Sequence, residues 1–360
     1  MTAEIAPLHG RPILVTGGAG FIGANLVDRL ASDGHDVLVF DALVRPGVEA
    51  NLAWLRRRHP HRVSSLIADL RDRPALEDAA SRARAVFHFA AQVAVTTSLA
   101  EPETDFAVNV QATLHLLEAL RRQPKPPPLV FASTNKVYGS LADVALIEEN
   151  GAWVPQDERI RAHGIAEDRS LSFYTPYGCS KGAADQYVLD YARSFGVPTC
   201  VLRMSCIYGP RQMGTEDQGW LGHFLFSVIR GQPINIYGDG RQVRDALYVD
   251  DAVAAYLAAW NRIGDVAGQA FNLGGGPENA VTLRAVLGEV GAIVGRAPEV
   301  GFADWRPGDQ RYFVADSRRI RSALGLPRPV GWRDGLRRFA HWAMAERRVP
   351  ARQFAASGDD

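Results

Sequence analysis

A chain of 360 residues with a 47% hydrophobic fraction is long enough for one large domain or two closely joined ones, and it can bury a packed core. Its 40 Lys+Arg balance 40 Asp+Glu, so a formal net charge of zero leaves no global electrostatic case for nucleic acid or an anionic membrane, and points to small partners. Residues Met1–Gly10 show neither a basic stretch nor a long apolar run, so no signal peptide or membrane span is read there. Cys179, Cys200 and Cys206 lack metal-ligand spacing, no His-x-x-x-His pair occurs among nine histidines, and the expectation is a cytoplasmic protein with reduced thiols and no metal.

In chain order, an apolar run from Pro12 to Thr16 predicts a strand, and Phe21 to Asp33 a helix. Strands are then expected at Asp36 to Asp41, Val63 to Asp69 and Ala85 to Ala91, with helices at Pro74 to Ala80 and Asp105 to Arg122. Pro124-Lys-Pro-Pro-Pro128 stops the latter helix, because proline lacks an amide donor and restricts the residue before it. Leu129 to Ser133, a helix from Tyr177 to Phe195 and Thr199 to Ser205 continue the alternation. Strands alternating with helices predict an α/β protein, a doubly wound parallel sheet of the Rossmann type.

Past Ser205 the pattern loosens, with a helix near Trp220 to Arg230 and short strands at Ile234 to Tyr237 and Phe271 to Leu273. Tyr248-Val-Asp-Asp-Ala-Val reads as a capped helix start before the last sheet strand. The expected organisation is a dinucleotide-binding unit over 1–205 with a returning segment at about 240–275, a smaller α/β substrate-binding region over 206–239 and 276–345, and a loose tail over 346–360.

Two segments carry the chemistry. Gly17-Gly-Ala-Gly20-Phe21-Ile22-Gly23 follows the first strand, where glycines let the backbone turn tightly and bring a pyrophosphate to the positive end of the next helix. Tyr177-Gly-Cys-Ser-Lys181 puts a phenol and an ammonium four residues apart, on one face of a helix, where the lysine favours the phenolate as a base for a carbinol hydroxyl. Asp41 ends the second strand eighteen positions after Gly23, where an acid bonds the adenosine ribose and repels a 2′-phosphate, which favours NAD; Arg45 lies near, and Asp41 could also be a simple strand-end turn residue. Asp69 and Leu70 close the third strand near the expected adenine, and Ala90, Ala91 and Gln92 follow His88 where small residues allow close approach.

The glycine turn, Asp41, Asp69, His88-Phe-Ala-Ala91, Asn109, Ser133-Thr134 before Val137-Tyr-Gly139, Tyr177 to Lys181 and Arg203 to Gly209 together resemble the extended short-chain dehydrogenase/reductase family of nucleotide-sugar epimerases and dehydratases, from Ile13 to about Trp342. That resemblance implies NAD as cofactor, Tyr177 as the base, Lys181 as the group that holds the nicotinamide ribose and lowers the tyrosine pKa, and Thr134 as the hydroxyl on the reacting oxygen. It adds Asn109, Ser133 and Ser205 to the cofactor site. Asn135, Cys206, Gln218, Gly219 and Trp220 are placed at the sugar, Tyr237 against the base, and Arg244 and Arg306 on diphosphate or ribose. Plainer readings stand beside these: Trp220 as core, Arg306 paired with Asp304 or Asp309, and Cys179 and Cys206 as small buried hydrophobes.

Asn135 and Lys136 stand where dehydratases of the family carry an acidic pair, so elimination lacks its proton carriers and the expectation is an epimerase. Ser133-Thr-Asn-Lys-Val-Tyr-Gly139, Asp217-Gln-Gly-Trp220 and Gly240-Arg-Gln-Val-Arg-Asp245 resemble the branch that inverts C2 of a CDP-linked sugar, with C4 inversion of a UDP- or dTDP-sugar as the alternative. Arg203-Met-Ser-Cys206 replaces the Arg-Tyr-Phe-Asn of many 4-epimerases. A non-catalytic nucleotide sensor is a third reading, against which the intact Thr134, Tyr177 and Lys181 speak. A homodimer or homotetramer is expected.

Overall fold

The computed structural model describes residues 10–306 and 308–346; the expected C-terminal tail and most of the N-terminal segment lie outside them. Seven parallel strands form the central sheet: β1 (Ile13–Thr16), β2 (Val37–Asp41), β3 (Val63–Ile67), β4 (Ala85–His88), β5 (Leu129–Thr134), β6 (Thr199–Met204) and β7 (Gln269–Leu273). Their order, β3-β2-β1-β4-β5-β6-β7, reverses direction between β1 and β4. In such sheets ligands bind at this point, outside the carboxyl ends of the strands.

Both faces are covered, which is why the strands read as unbroken apolar runs rather than alternating ones. Ile13, Val15, Val37, Val39 and Phe87 face helix α1 (Phe21–Ser32), while Leu14, Leu38, Phe40, Val86 and Phe131 face the opposite helical layer with Leu116, Leu117 and Val188. Helices α2 (Val48–Arg58) and α3 (Arg73–Arg82) complete the first half, and α4 (Ala112–Arg121) and α5 (Thr175–Phe195) form much of the second layer. Helix α2 went unread in the sequence, although Val48, Leu52 and Leu55 recur at helical spacing and are buried.

The expected helix from Asp105 to Arg122 is divided: Pro102–Phe106 is α-helical, Ala107–Gln111 is a π turn, and α4 follows. Such turns concentrate at functional sites. Strand β4 stops at His88 instead of Ala91 because the Phe89 and Ala90 amides both donate to Thr16 O, at 3.0 and 3.1 Å, and bend the chain over the top of β1.

Beyond β6 the chain forms α6 (Trp220–Arg230), α7 (Val249–Asn261), α8 (Leu283–Val294) and α9 (Trp332–Glu346). Helix α7 starts where expected but without a side-chain cap at Tyr248; Asp250 and Asp251 in its first turn complement the helix dipole instead. Ile234–Tyr237 pairs in parallel with Val300–Ala303, and Val243–Tyr248 pairs with Cys206–Tyr208, Ala280–Thr282 and Tyr312–Phe313. Tyr208, Phe224, Ile236, Val286 and Phe339 share a separate core under these strands. Among the described residues no helix is long and apolar enough to cross a membrane, and no group of His, Cys, Asp or Glu is arranged to hold a metal ion.

Candidate active site

The glycine turn follows the carboxyl end of β1. Gly17 has φ +69°, and a Cβ there would lie 2.7 Å from Ala90 N; a Cβ on Gly23 would lie 2.1 Å from Gly17 O. No other residue type fits either position. No side chain caps α1 at Gly20, so its first-turn amides are left to face an anion, and the cradle suits a dinucleotide pyrophosphate. Asp41 Oδ2 accepts from Ala19 N and Oδ1 from Leu43 N, each at 2.9 Å. A carboxylate has about four acceptor positions, so Asp41 fastens the turn and still has room for ribose hydroxyls.

Other expected cofactor residues also have partners within the protein. Asp69 is held by Arg71 through two bonds of 2.9 and 2.8 Å, which keeps its carboxyl below its ordinary range. Leu70 is buried in one core cluster with Leu38 and Phe40. The Ser133 hydroxyl donates to Asp185 Oδ2 at 2.7 Å, and the Ser205 hydroxyl is bonded to Asp245. Asp185 also receives both 2.9 Å bonds of Arg203, whose other arm reaches Tyr138 and, through it, Asn272 on β7.

His88 is buried between two threonines, with Nδ1 2.6 Å from Thr16 Oγ1 and Nε2 3.0 Å from Thr113 Oγ1. Thr113 donates to Asn109 O, so it accepts from His88 Nε2–H, and Nδ1 accepts from Thr16. Burial, and secondarily Lys181, push the imidazole down to about 3, so it is neutral. Asn109, within the π turn, receives Gln92 N on Oδ1 at 2.9 Å and donates from Nδ2 to Gln92 O, Asp105 Oδ1 and Ser180 Oγ at 3.0, 3.1 and 3.0 Å. It ties the loop after β4 to helix α5.

Thr134, Tyr177 and Lys181 lie close together. Tyr177 and Lys181 lie one turn apart on α5, both buried, and a side-chain hydrogen bond joins Tyr177 to Thr134 at the end of β5. Thr175, the first residue of α5, has φ +67°, an uncommon conformation for a β-branched residue, and such positions concentrate at working sites. The expected lowering of Tyr177 by Lys181 is not what the structure shows. Burial raises the phenol to about 12, the Thr134 bond opposes this, and the Lys181 ammonium is directed to Ala132 O at 2.7 Å and over the Phe131 ring. Burial lowers Lys181 to about 7.

Asn135 and Lys136 begin the sugar side. Asn135 Nδ2 donates to Gln310 Oε1 at 3.2 Å, and Lys136 Nζ stands 3.4 Å from Gly308 O and 4.0 Å from Asp309. Trp220 Nε1 donates to Cys206 Sγ at 3.3 Å, which joins two expected sugar residues. Gln218 closes a tight turn with Thr215, and Gly219 at φ +75° starts α6. Cys179 is exposed, contrary to expectation, because its position on α5 faces away from the sheet; Cys206 is half-buried.

Arg244 is buried and its guanidinium is committed within the protein, to Asp309 Oδ1 at 2.6 Å and to the carbonyls of Val243 and Gln310, so it braces the 305–310 segment rather than offering a free fork. Arg306 pairs with Asp217 at 3.3 Å, not with Asp304 or Asp309, and lies 3.7 Å over the Tyr237 ring, covering the face expected to receive a base. Tyr237 itself donates to Glu216 Oε1 at 2.7 Å. Gln310 and Asp105 went unread as site residues in the sequence: Gln310 meets Asn135 across 175 residues, and nothing in the local spacing around Asp105 announces its burial.

A profile of the NAD dependent epimerase/dehydratase family matches residues 13–274. The chain is 38% identical over 337 residues to the CDP-paratose 2-epimerase of Salmonella typhi, covering 92% of this chain and 98% of that one. Among solved structures it is similar to the UDP-glucose 4-epimerase of Thermus thermophilus in complex with NAD, at 33% identity and TM-score 0.77 over 92% of this chain and 98% of that one. It is likewise similar to the UDP-glucose 4-epimerase of Thermotoga maritima with UDP-glucose, at 30% identity and TM-score 0.78 over 93% and 99%. With its glycine cradle, its buried tyrosine and lysine and this similarity along nearly its whole length, the chain is an NAD-dependent enzyme and belongs to the NAD dependent epimerase/dehydratase family.

Proposed function

We propose that the enzyme inverts a secondary alcohol on the sugar of a sugar nucleotide, and that the centre inverted is C2 of a CDP-linked sugar. The observation that carries the reading is the meeting of Thr134, Tyr177 and Lys181 next to Asn135 and Lys136, an assembly with a base for a hydroxyl but no acidic pair for elimination. Tyr177 takes the hydroxyl proton and later returns it, Thr134 holds the reacting oxygen, and Lys181 holds the nicotinamide ribose. Bound NAD supplies a reversible hydride acceptor and a positive charge. The glycine turn, Asp41, the Ala90–Gln92 loop and Asn109 are the groups proposed to hold it.

The overall likeness to the 2-epimerase of Salmonella typhi supports C2, as does Cys206 in place of an asparagine at the sugar. The likeness to UDP-glucose 4-epimerases favours the second reading, C4 inversion of a UDP- or dTDP-sugar. Proton NMR of a CDP-linked 3,6-dideoxyhexose, and then of UDP- and dTDP-hexoses, incubated with the enzyme decides between them. Inversion at C2 supports the first reading, and inversion at C4 replaces it with the second.

The proposed division of labour assigns residues 1–205 with about 240–275 to the cofactor and 206–239 with 276–345 to the sugar nucleotide. A homodimer is proposed through the helical layer containing α5, where Leu99, Phe106 and Tyr187 are exposed at 48%, 57% and 44%. Light scattering behind gel filtration tests it, and a monomeric mass removes it. Three free cysteines suit a reducing compartment, and the cytosol is the proposed location.

A further inference from the structure

Asp105 is a carboxylate with no exposed surface, on the short helix that precedes the π turn. Its Oδ1 accepts from Gln92 Nε2 at 3.0 Å and from Asn109 Nδ2 at 3.1 Å, while its buried Oδ2 has no hydrogen-bond partner. Asn109 also donates to Ser180, and the Ser180 hydroxyl reaches Tyr177 O at 3.2 Å. A continuous network therefore runs from the cofactor loop at Gln92 through Asp105 and Asn109 to the turn of α5 that carries the base.

A buried carboxyl with an unpartnered oxygen is costly, and a core of apolar side chains would be more stable there. Its retention calls for a purpose. The titratable groups that feel its charge are Lys181 and Tyr177 on α5, and Lys181 is in turn acted on by Asp185 and acts on neutral His88; Glu101 and Glu103 on its own segment are exposed. Its negative charge favours the ammonium of Lys181 and opposes the phenolate of Tyr177, while desolvation raises its own pKa.

We propose that Asp105 is a positioning residue for the base: its carboxylate keeps Lys181 charged and, through Asn109 and Ser180, holds the Tyr177 turn of α5 in register with the cofactor loop. This rests on the reading of Tyr177 and Lys181 given above. Both effects act in one direction on removal of the charge. Without it the ammonium is less favoured and the phenolate more so, and both groups titrate at lower pH.

Asp105→Asn keeps the Oδ1 acceptor and removes the charge. In the NAD-loaded enzyme both limbs of the pH profile of kcat/KM are expected to move to lower pH by about half a unit or more. The phenolate absorbance that titrates in the wild type and is missing from Tyr177→Phe is expected to appear at lower pH by a similar amount. Ser180→Ala, which removes the hydroxyl beside the carboxyl, is expected to shift the profile the same way by less, and stands in if Asp105→Asn does not fold. Loss of activity with unmoved limbs and an unmoved phenolate titration overturns the proposal and leaves Asp105 a structural residue. A fully active Tyr177→Phe instead overturns the underlying reading of the base.

Discussion

Asn135 on one side of the site donates to Gln310 on the other, 3.2 Å apart in space and 175 residues apart in sequence. Gln310 in turn donates to Gly139 O at 2.6 Å and is fully buried, so the end of β5 and the segment after Arg306 are fastened together directly beside Thr134. Gln310→Ala leaves a buried amide and a buried carbonyl without partners, at roughly 1–3 kcal/mol. A melting temperature lowered by several degrees is the expected result, and an unchanged melt shows that water replaces the side chain.

Tyr177→Phe is expected to retain fold and NAD yet lose turnover by at least ~10²-fold, the ordinary consequence of removing a general base. Lys181→Met is expected to lose both activity and NAD. Turnover measured alongside the dinucleotide released on denaturation separates the two.

Cofactor choice is expected to follow from Asp41. Denatured enzyme is expected to release NAD with little NADP, and Asp41→Ala to narrow the preference while loosening the glycine turn, since Ala19 and Leu43 lose their acceptor. Predominantly NADP in the supernatant would move the decision to Arg45 or another residue.

If hydride returns from the cofactor rather than from solvent, as proposed, turnover in deuterated water puts no deuterium on carbon and accumulates no NADH. Solvent label at the inverted centre points to enolisation. Loss of water from the sugar identifies a dehydratase.

His88 makes the protein sensitive to acid. Its folded pKa, about 3, lies below the unfolded value of 6.5, so the unfolded chain binds a proton that the native one refuses between those values. Stability is therefore full above about pH 6.5 and falls as pH drops through that window, by up to about 1.4 kcal/mol per unit from this residue. Melting curves between neutral and mildly acidic pH are expected to fall more steeply for the wild type than for His88→Gln. Parallel curves would show that carboxylates dominate the acid response.

The sheet, the glycine turn and the Tyr177–Lys181 pair were legible because each is written in local spacing: an unbroken apolar run, a glycine every third residue, a four-residue step on a helix. Asp105 was not, since a lone aspartate in a helical stretch reads as solvent-facing and only the packing of the π turn against α5 buries it. Arg244 and Arg306 looked alike in sequence. Asp309 commits the first, 65 residues away, and Asp217 pairs with the second, 89 residues earlier. Such pairings have no local pattern to announce them.

The ion pair of Asp185 with Arg203 stands at the centre of a bolt that runs from Ser133 on β5 through α5 and β6 to Tyr138 and Asn272 on β7. The sugar-side turn around 215–218 lies off this bolt and is attached through surface contacts such as Asp217 with Arg306. On the proposed reading, a keto-sugar presenting its opposite face to the hydride donor would pivot against this fixed floor, with the 215–218 turn as the part left to yield. Amide hydrogen exchange is expected to register this as slow exchange along α5 and β5 and faster exchange across 215–218, with nucleotide sugar protecting the second region alone.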